Sequence, residues 1–174
     1  MDFFAVPTLS FGILYCFFVI GHDRRRVLHF NVTSHPTSAW VVLQLRNAFP
    51  YDSLPQYLIF DRDAKFSAEV AAAVKVAGSV PVRTSFRSPW QNGIAERWVG
   101  SCRRDLFDHV VVLNERHCRR LLREYVAYYR EDRTHLGLNK ETPGQRPTAV
   151  RTPVVSITSA PRLGGLHHRY DLAA

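Results

Sequence analysis

Between Phe3 and Gly21 the chain carries no charged residue, a run of 19 positions. That length approaches a membrane span, and Arg24-Arg25-Arg26 follow it as a cytoplasmic flank would. The run is nevertheless punctuated by Pro7, Thr8, Ser10 and Gly12, which divide it into two short apolar pieces. Phe3, Phe4 and Val6 in the first piece are strand formers. So are Phe11, Ile13, Tyr15, Phe17, Phe18, Val19 and Ile20 in the second. A signal peptide needs a basic leading region, and Asp2 stands in its place. The run predicts two buried strands joined by a turn, at residues 2–7 and 11–20, and no membrane anchor.

The next 120 positions alternate in type. Arg26–Val32 reads as a third strand after a turn at His22-Asp23-Arg24-Arg25, which makes an antiparallel meander. Pro36 opens a helix through Ala39, Trp40, Leu43 and Phe49, with Thr33 or Ser34 as its cap. Pro50–Pro55 is a loop, Gln56–Phe60 a short apolar strand, and Phe66–Ala77 a helix stopped at Gly78. Val80–Thr84 is the fifth strand. Asn114 caps a later helix to about Glu131, with Cys118, Leu121, Leu122, Tyr125 and Tyr129 on its apolar side. Strands followed by alternating helix and strand predict a mixed α/β sheet with helices on its faces, compatible with a ribonuclease-H-like architecture. From Thr142 onward Pro, Gly and Ser thicken and no apolar period survives. The expected division is one domain over 1–147 and an extended or disordered tail over 148–174.

A net charge of +8 and a pI near 9.9 are high for 174 residues. Arginine supplies nearly all of it, with lysine only at Lys65, Lys75 and Lys140. Arginine suits bidentate contact with phosphate, so a polyanion is the natural partner, nucleic acid ahead of a membrane surface. Cys16, Cys102 and Cys118 are odd in number and widely spaced, which suggests neither a zinc ribbon nor a disulfide framework. They read as buried thiols of a chain in a reducing, cytoplasmic compartment.

The stretch Ser85–Arg104 begins as a loop through Ser88, Pro89, Asn92 and Gly93. It continues as a helix in which Ala95, Trp98, Val99, Cys102 and Leu106 form one apolar stripe. Glu96 falls in the first turn. An acid there is ordinarily explained by the positive end of the helix dipole. A catalytic reading needs partner carboxylates, and the predicted sheet can supply them. Asp2 opens the first strand, and Asp61 follows the fourth, where ligand sites of α/β sheets occur. Three carboxylates drawn together raise one another's pKa unless a cation neutralises them. Such oxygen donors suit Mg²⁺ or Mn²⁺. Each also has a plain reading: Asp2 as a terminal residue, Asp61 and Asp63 as turn formers.

In their order, Asp2-Phe3-Phe4, Asp61-Arg62-Asp63-Ala64-Lys65-Phe66 and Ser88-Pro89-Trp90-Gln91-Asn92-Gly93-Ile94-Ala95-Glu96-Arg97 resemble the catalytic core of retroviral-type integrases and bacterial insertion-sequence transposases. Tyr129, Arg133-Thr134-His135, Leu138 and Thr142-Pro143 look like that family's closing signature. The resemblance covers roughly residues 1–147.

The resemblance implies a five-stranded ribonuclease-H-like sheet flanked by helices, and metal-dependent DNA strand cleavage and joining. Asp2, Asp61 and Glu96 would be the DDE triad holding two Mg²⁺ or Mn²⁺ ions. Asn92, Arg97 and Arg103 would contact DNA, and the partners would be mobile-element ends, target DNA and further copies of the chain. The second motif departs from the family pattern. Phe60 stands for the usual Ser and Asp63 for the usual Gly, so both Asp61 and Asp63 are candidates for the second acid. The gap between Asp61 and Glu96 is 34 residues, one short of the commonest spacing. The family's N-terminal helix-turn-helix is absent, so the chain is expected to be truncated. A different class is then a catalytically inactive, DNA-binding remnant.

Overall fold

The computed structural model describes residues 1–50, 54–147 and 156–173. Strands β1 (Asp2–Pro7), β2 (Ile13–Ile20) and β3 (Val27–Thr33) form the expected antiparallel meander, with Phe4 opposite Cys16 and Cys16 opposite Val32. The uncharged run is thus two strands, and no helix among the described residues is long and apolar enough to cross a membrane.

Side chains of β2 alternate between two apolar layers because successive residues face opposite sides of a sheet. Leu14, Cys16, Phe18 and Ile20 face one layer, with Phe4, Val6, Trp98, Cys102, Leu122 and Tyr125. Phe17 and Val19 face the other, with Val41, Leu45, Phe60, Val70 and Val74. The first layer is closed by α3 (Gly93–Asp105) and α4 (Glu115–Glu131), the second by α1 (Ser38–Ala48) and α2 (Ala68–Val76). A strand buried on both faces must be apolar throughout, which accounts for the long uncharged run. The three cysteines are buried and unbridged, with Cys16 and Cys118 sulfurs 3.7 Å apart.

Strands β4 (Tyr57–Phe60) and β5 (Val80–Arg83) pair in parallel, with α2 as their crossover. All five expected strands are present, but they are hydrogen-bonded as a three-stranded and a two-stranded sheet. The seam lies between β1 and β4, which is only four residues long. Contact is made by Met1, whose amine donates to the Ile59 carbonyl at 2.7 Å. The apolar layer still runs across it, through Met1, Phe17, Leu58 and Phe60.

Two local expectations are corrected. Helix α1 is capped by Thr37, whose hydroxyl accepts from the Trp40 amide at 3.2 Å, because Pro36 precedes the cap rather than following it. The C-terminal segment, expected to trail as extended or disordered chain, contains over 156–173 an antiparallel hairpin of β6 (Ser156–Arg162) and β7 (His167–Ala173). It is fastened by charge rather than by an apolar face. The Asp132 carboxylate, 4% exposed, meets Arg162 at 2.5 Å and Arg169 at 3.4 Å, while Arg146 meets Asp171 at 2.5 Å. His167 stacks on Tyr128 at 4.8 Å. The expected Pro50–Pro55 loop includes residues 51–53, and the expected tail includes 148–155 and Ala174; these positions lie outside the described residues.

Candidate functional site

Three elements bring the candidate acids to one edge of the sheet. Asp2 begins β1, Asp61 follows the last residue of β4, and Glu96 lies in the first turn of α3. A one-turn helix, Pro89–Asn92, leads into α3 and buries Asn92. Asp2, Asp61, Asp63, Asn92 and Glu96 line a cleft of about 270 Å³, together with Arg62 and residues 84–88.

Asp2 is the most constrained of the acids. Its Oδ1 accepts from the Phe3 amide at 2.7 Å, and its Oδ2 accepts from Asn92 Nδ2 at 3.0 Å. Burial pushes its carboxyl up to about 7, and the Asp61 and Glu96 carboxylates add to the rise against the Phe3 amide and the terminal amine. The Met1 amine is pushed down to about 6 by the same burial, with Asp2 and Asp61 opposing. The Asn92 Oδ1 is buried without a hydrogen-bond partner. A buried carbonyl oxygen with no protein partner, beside a carboxylate disfavoured by burial, is the kind of donor set that suits a cation.

Asp61 and Asp63 differ in what their carboxylates already hold. Asp63 Oδ1 accepts from the Lys65 amide at 2.9 Å, and Oδ2 pairs with Lys65 Nζ at 2.6 Å. Burial would raise the Asp63 carboxyl, but these Lys65 contacts outweigh it and hold it low. Asp61 Oδ1 accepts only the Asp63 amide, at 3.0 Å, as a turn aspartate does. The Met1 amine also lies within electrostatic reach of this carboxylate.

The donor set suits a hard divalent ion in type: carboxylate oxygens and one amide oxygen. The positions do not yet match the type. Among the described residues, no three Asp, Glu, His or Cys side chains stand close enough to hold a metal ion, and Glu96 is exposed.

The other predicted contacts separate. Asn92 is in the cleft. Arg103 lies on the far flank of α3, where its guanidinium donates to the Ala5 carbonyl at 3.1 Å and sits over the Phe4 ring. Arg97 faces a different cavity, shared with Arg25 and Arg104. Sequence reasoning passed over Phe86, Arg87 and Trp90. Phe86 and Arg87 line the cleft, and Phe86 and Trp90 are each 74% exposed. Large aromatics in an otherwise polar, arginine-bearing loop were the available signal. The closing signature is a clamp: His135 packs edge-on against Tyr129 at 4.6 Å, and Arg24 donates to the Thr142 carbonyl at 3.0 Å.

Residues 78–143 match the family model described as "Integrase core domain". No curated protein sequence matches the chain. In fold, the chain is similar to a chain of the simian T-cell lymphotropic virus intasome in complex with PP2A regulatory subunit B56 gamma, with TM-score 0.66 at 15% identity. That match covers 97% of this chain and 64% of the other, so the chain spans under two thirds of that relative's length. It is also similar to the catalytic core domain of BIV integrase, with TM-score 0.54 at 18% identity, over 82% of this chain and 89% of that one. The fold is therefore the ribonuclease-H-like α/β fold of integrase catalytic cores. The segment matched by the family model runs from β5 through α4 to the closing signature.

Proposed function

We propose that the chain is the catalytic core of an integrase or transposase that binds DNA and performs metal-dependent strand cleavage and joining. Residues 1–147 form that core. The observation that carries the reading is the convergence of Asp2, Asp61, Asn92 and Glu96, from three separate segments, on one cleft. Asp2, Asp61 and Glu96 would hold Mg²⁺ or Mn²⁺. Two such ions, when bound, activate an attacking hydroxyl and stabilise the leaving oxygen of a phosphodiester. Asn92 orients the Asp2 carboxylate, and Lys65 keeps Asp63 occupied so that Asp61 is the available acid of the pair. Phe86 and Trp90 offer faces on which unpaired bases stack, and Arg87 offers charge to the backbone between them. Further copies of the chain would assemble on the DNA, as the intasome similarity suggests.

One observation favours a second reading, a DNA-binding remnant without catalysis: the acids do not converge to ligating distance, and Glu96 lies exposed. Glu96→Gln separates the two. Mn²⁺-dependent nicking of a DNA duplex should occur with the unaltered chain and vanish in the variant. Absence of nicking in both, with DNA binding intact, would establish the remnant.

A further inference from the structure

On the opposite flank of α3 from Arg103, a second cavity of about 430 Å³ opens beside the end of α4 and the turn at 135–137. Arg25, Arg97, Arg104 and Arg133 line it with Trp98 and His135, and no carboxylate belongs to the lining. Among the described residues, Arg25, Arg97 and Arg104 make no ion pair, whereas Arg133 meets Asp105 at 2.9 Å. Arg25 reaches the cavity from the turn between β2 and β3, itself in the left-handed region at φ 58. Its guanidinium lies against Gly137 so closely that a Cβ there would collide with it. Four guanidiniums facing one cavity repel one another unless an anion sits among them.

A further donor belongs to the same lining: Trp98 Nε1 is buried without a partner among the described residues, in a residue 1% exposed. The indole N–H can only donate. The Arg133 guanidinium approaches His135 Nδ1 at 3.5 Å. Burial, then Arg133 and Arg25, hold this imidazole down near 4 against a hydrogen bond to the Tyr129 backbone and the Asp105 carboxylate, so it adds no charge to the cavity at ordinary pH. The lining thus has many donors and a net positive charge carried by Arg25, Arg97 and Arg104, with Arg133 paired to Asp105 from behind.

We propose that this cavity is a binding site for a phosphate-class oxyanion, supplied either by a nucleic-acid backbone or as free inorganic phosphate. It is separate from the acid cleft and does not depend on the metal chemistry assigned there. Guanidinium forks match the oxygens of such an anion geometrically, and an anion there would relieve the repulsion within the arginine cluster.

The test is calorimetric titration of the full chain with inorganic phosphate at constant ionic strength. Saturable binding at one site is expected, weakened at least about tenfold in Arg97→Gln/Arg104→Gln, which loses two charge-assisted contacts. Both residues are exposed, so the core is untouched. Arg46→Gln/Lys75→Gln removes the same charge from exposed positions elsewhere and should bind as the unaltered chain does. Glu96→Gln should also bind phosphate normally, which separates failure here from failure of the catalytic reading. No saturable binding, or equal loss in both double variants, would overturn the proposal. Displacement of phosphate by a phosphodiester duplex, but not by a methylphosphonate duplex, assigns the site to a nucleic-acid backbone. Retention against both duplexes assigns it to the free anion.

Discussion

Asn92 donates through Nδ2 to Asp2 Oδ2 at 3.0 Å, joining the loop before α3 to the first strand across 90 positions of sequence. The bond is buried, and with the Phe3 amide on Oδ1 it fixes the orientation of the Asp2 carboxylate. Asn92→Ala should cost on the order of 1–2 kcal/mol, the usual cost of leaving a buried acceptor unsatisfied. Urea melts of the metal-free chain measure it. A change within a few tenths of a kcal/mol would mean that the bond does not order the cleft.

Asp2 titrates at about 7 in the folded chain against an ordinary 3.8, so the folded state holds its proton more tightly. Its contribution to stability is fully present below pH 4 and is lost as pH rises through 7. The Met1 amine, lowered from 8.0 to about 6, acts oppositely: its contribution is present above pH 8 and lost as pH falls through 6. A divalent cation must displace the Asp2 proton. Apparent Mn²⁺ affinity should therefore rise about tenfold per pH unit below 7 and level off above it. Asp2→Asn should flatten that profile; the same slope in the variant would assign the proton elsewhere.

Trp98 and Trp90 make a matched pair. Trp98 is 1% exposed and packs 4.2 Å from Phe18 by ring centroids, whereas Trp90 is 74% exposed. Truncation of Trp98 to Ala should cost about 3–5 kcal/mol. Trp90→Ala should leave the melting temperature nearly unchanged but weaken single-stranded DNA binding by roughly 1–3 kcal/mol if bases stack there. Fluorescence anisotropy reads the second effect, and unaltered affinity would remove Trp90 from the DNA surface.

Asp132 holds the C-terminal hairpin through Arg162, Arg169 and a longer 4.0 Å approach to Arg146. Asp132→Ala leaves these arginines without their shared partner. The loss should be local to the hairpin, since the Asp132 side chain itself is buried while those of its arginines are partly exposed. Hydrogen exchange should show lost protection over 156–173 with β1–β3 unchanged. Equal protection in the variant would mean that the Arg146–Asp171 pair, the Tyr128–His167 stack and Leu163 hold the hairpin without Asp132.

Much of this architecture was legible because it rests on periodicity. Leu14, Cys16, Phe18 and Ile20 alternate with Phe17 and Val19 as a doubly buried strand must, and Ala95, Trp98, Cys102 and Leu106 form the buried stripe of α3. Asn114 caps α4 through its side chain to the His117 amide at 2.9 Å, also as read. The hairpin was not legible, since arginine–aspartate pairs from distant positions leave no apolar period. Nor could spacing decide between Asp61 and Asp63, because the answer lies in where the Lys65 ammonium turns. The arginine cavity was hidden for a similar reason: Arg25, Arg97 and Arg133 are far apart in the chain, and only the fold removes the carboxylates from their midst.

The central claim is that Asp2, Asp61 and Glu96 are the divalent-cation ligands, with Asp63 held aside by Lys65. Calorimetric Mn²⁺ titration of the unaltered chain, Asp61→Asn and Asp63→Asn tests it most directly. Binding should be lost or weakened at least about a hundredfold in Asp61→Asn, as removal of a charged oxygen ligand predicts, and should stay within a few-fold in Asp63→Asn. Strong loss in Asp63→Asn with binding preserved in Asp61→Asn would contradict it.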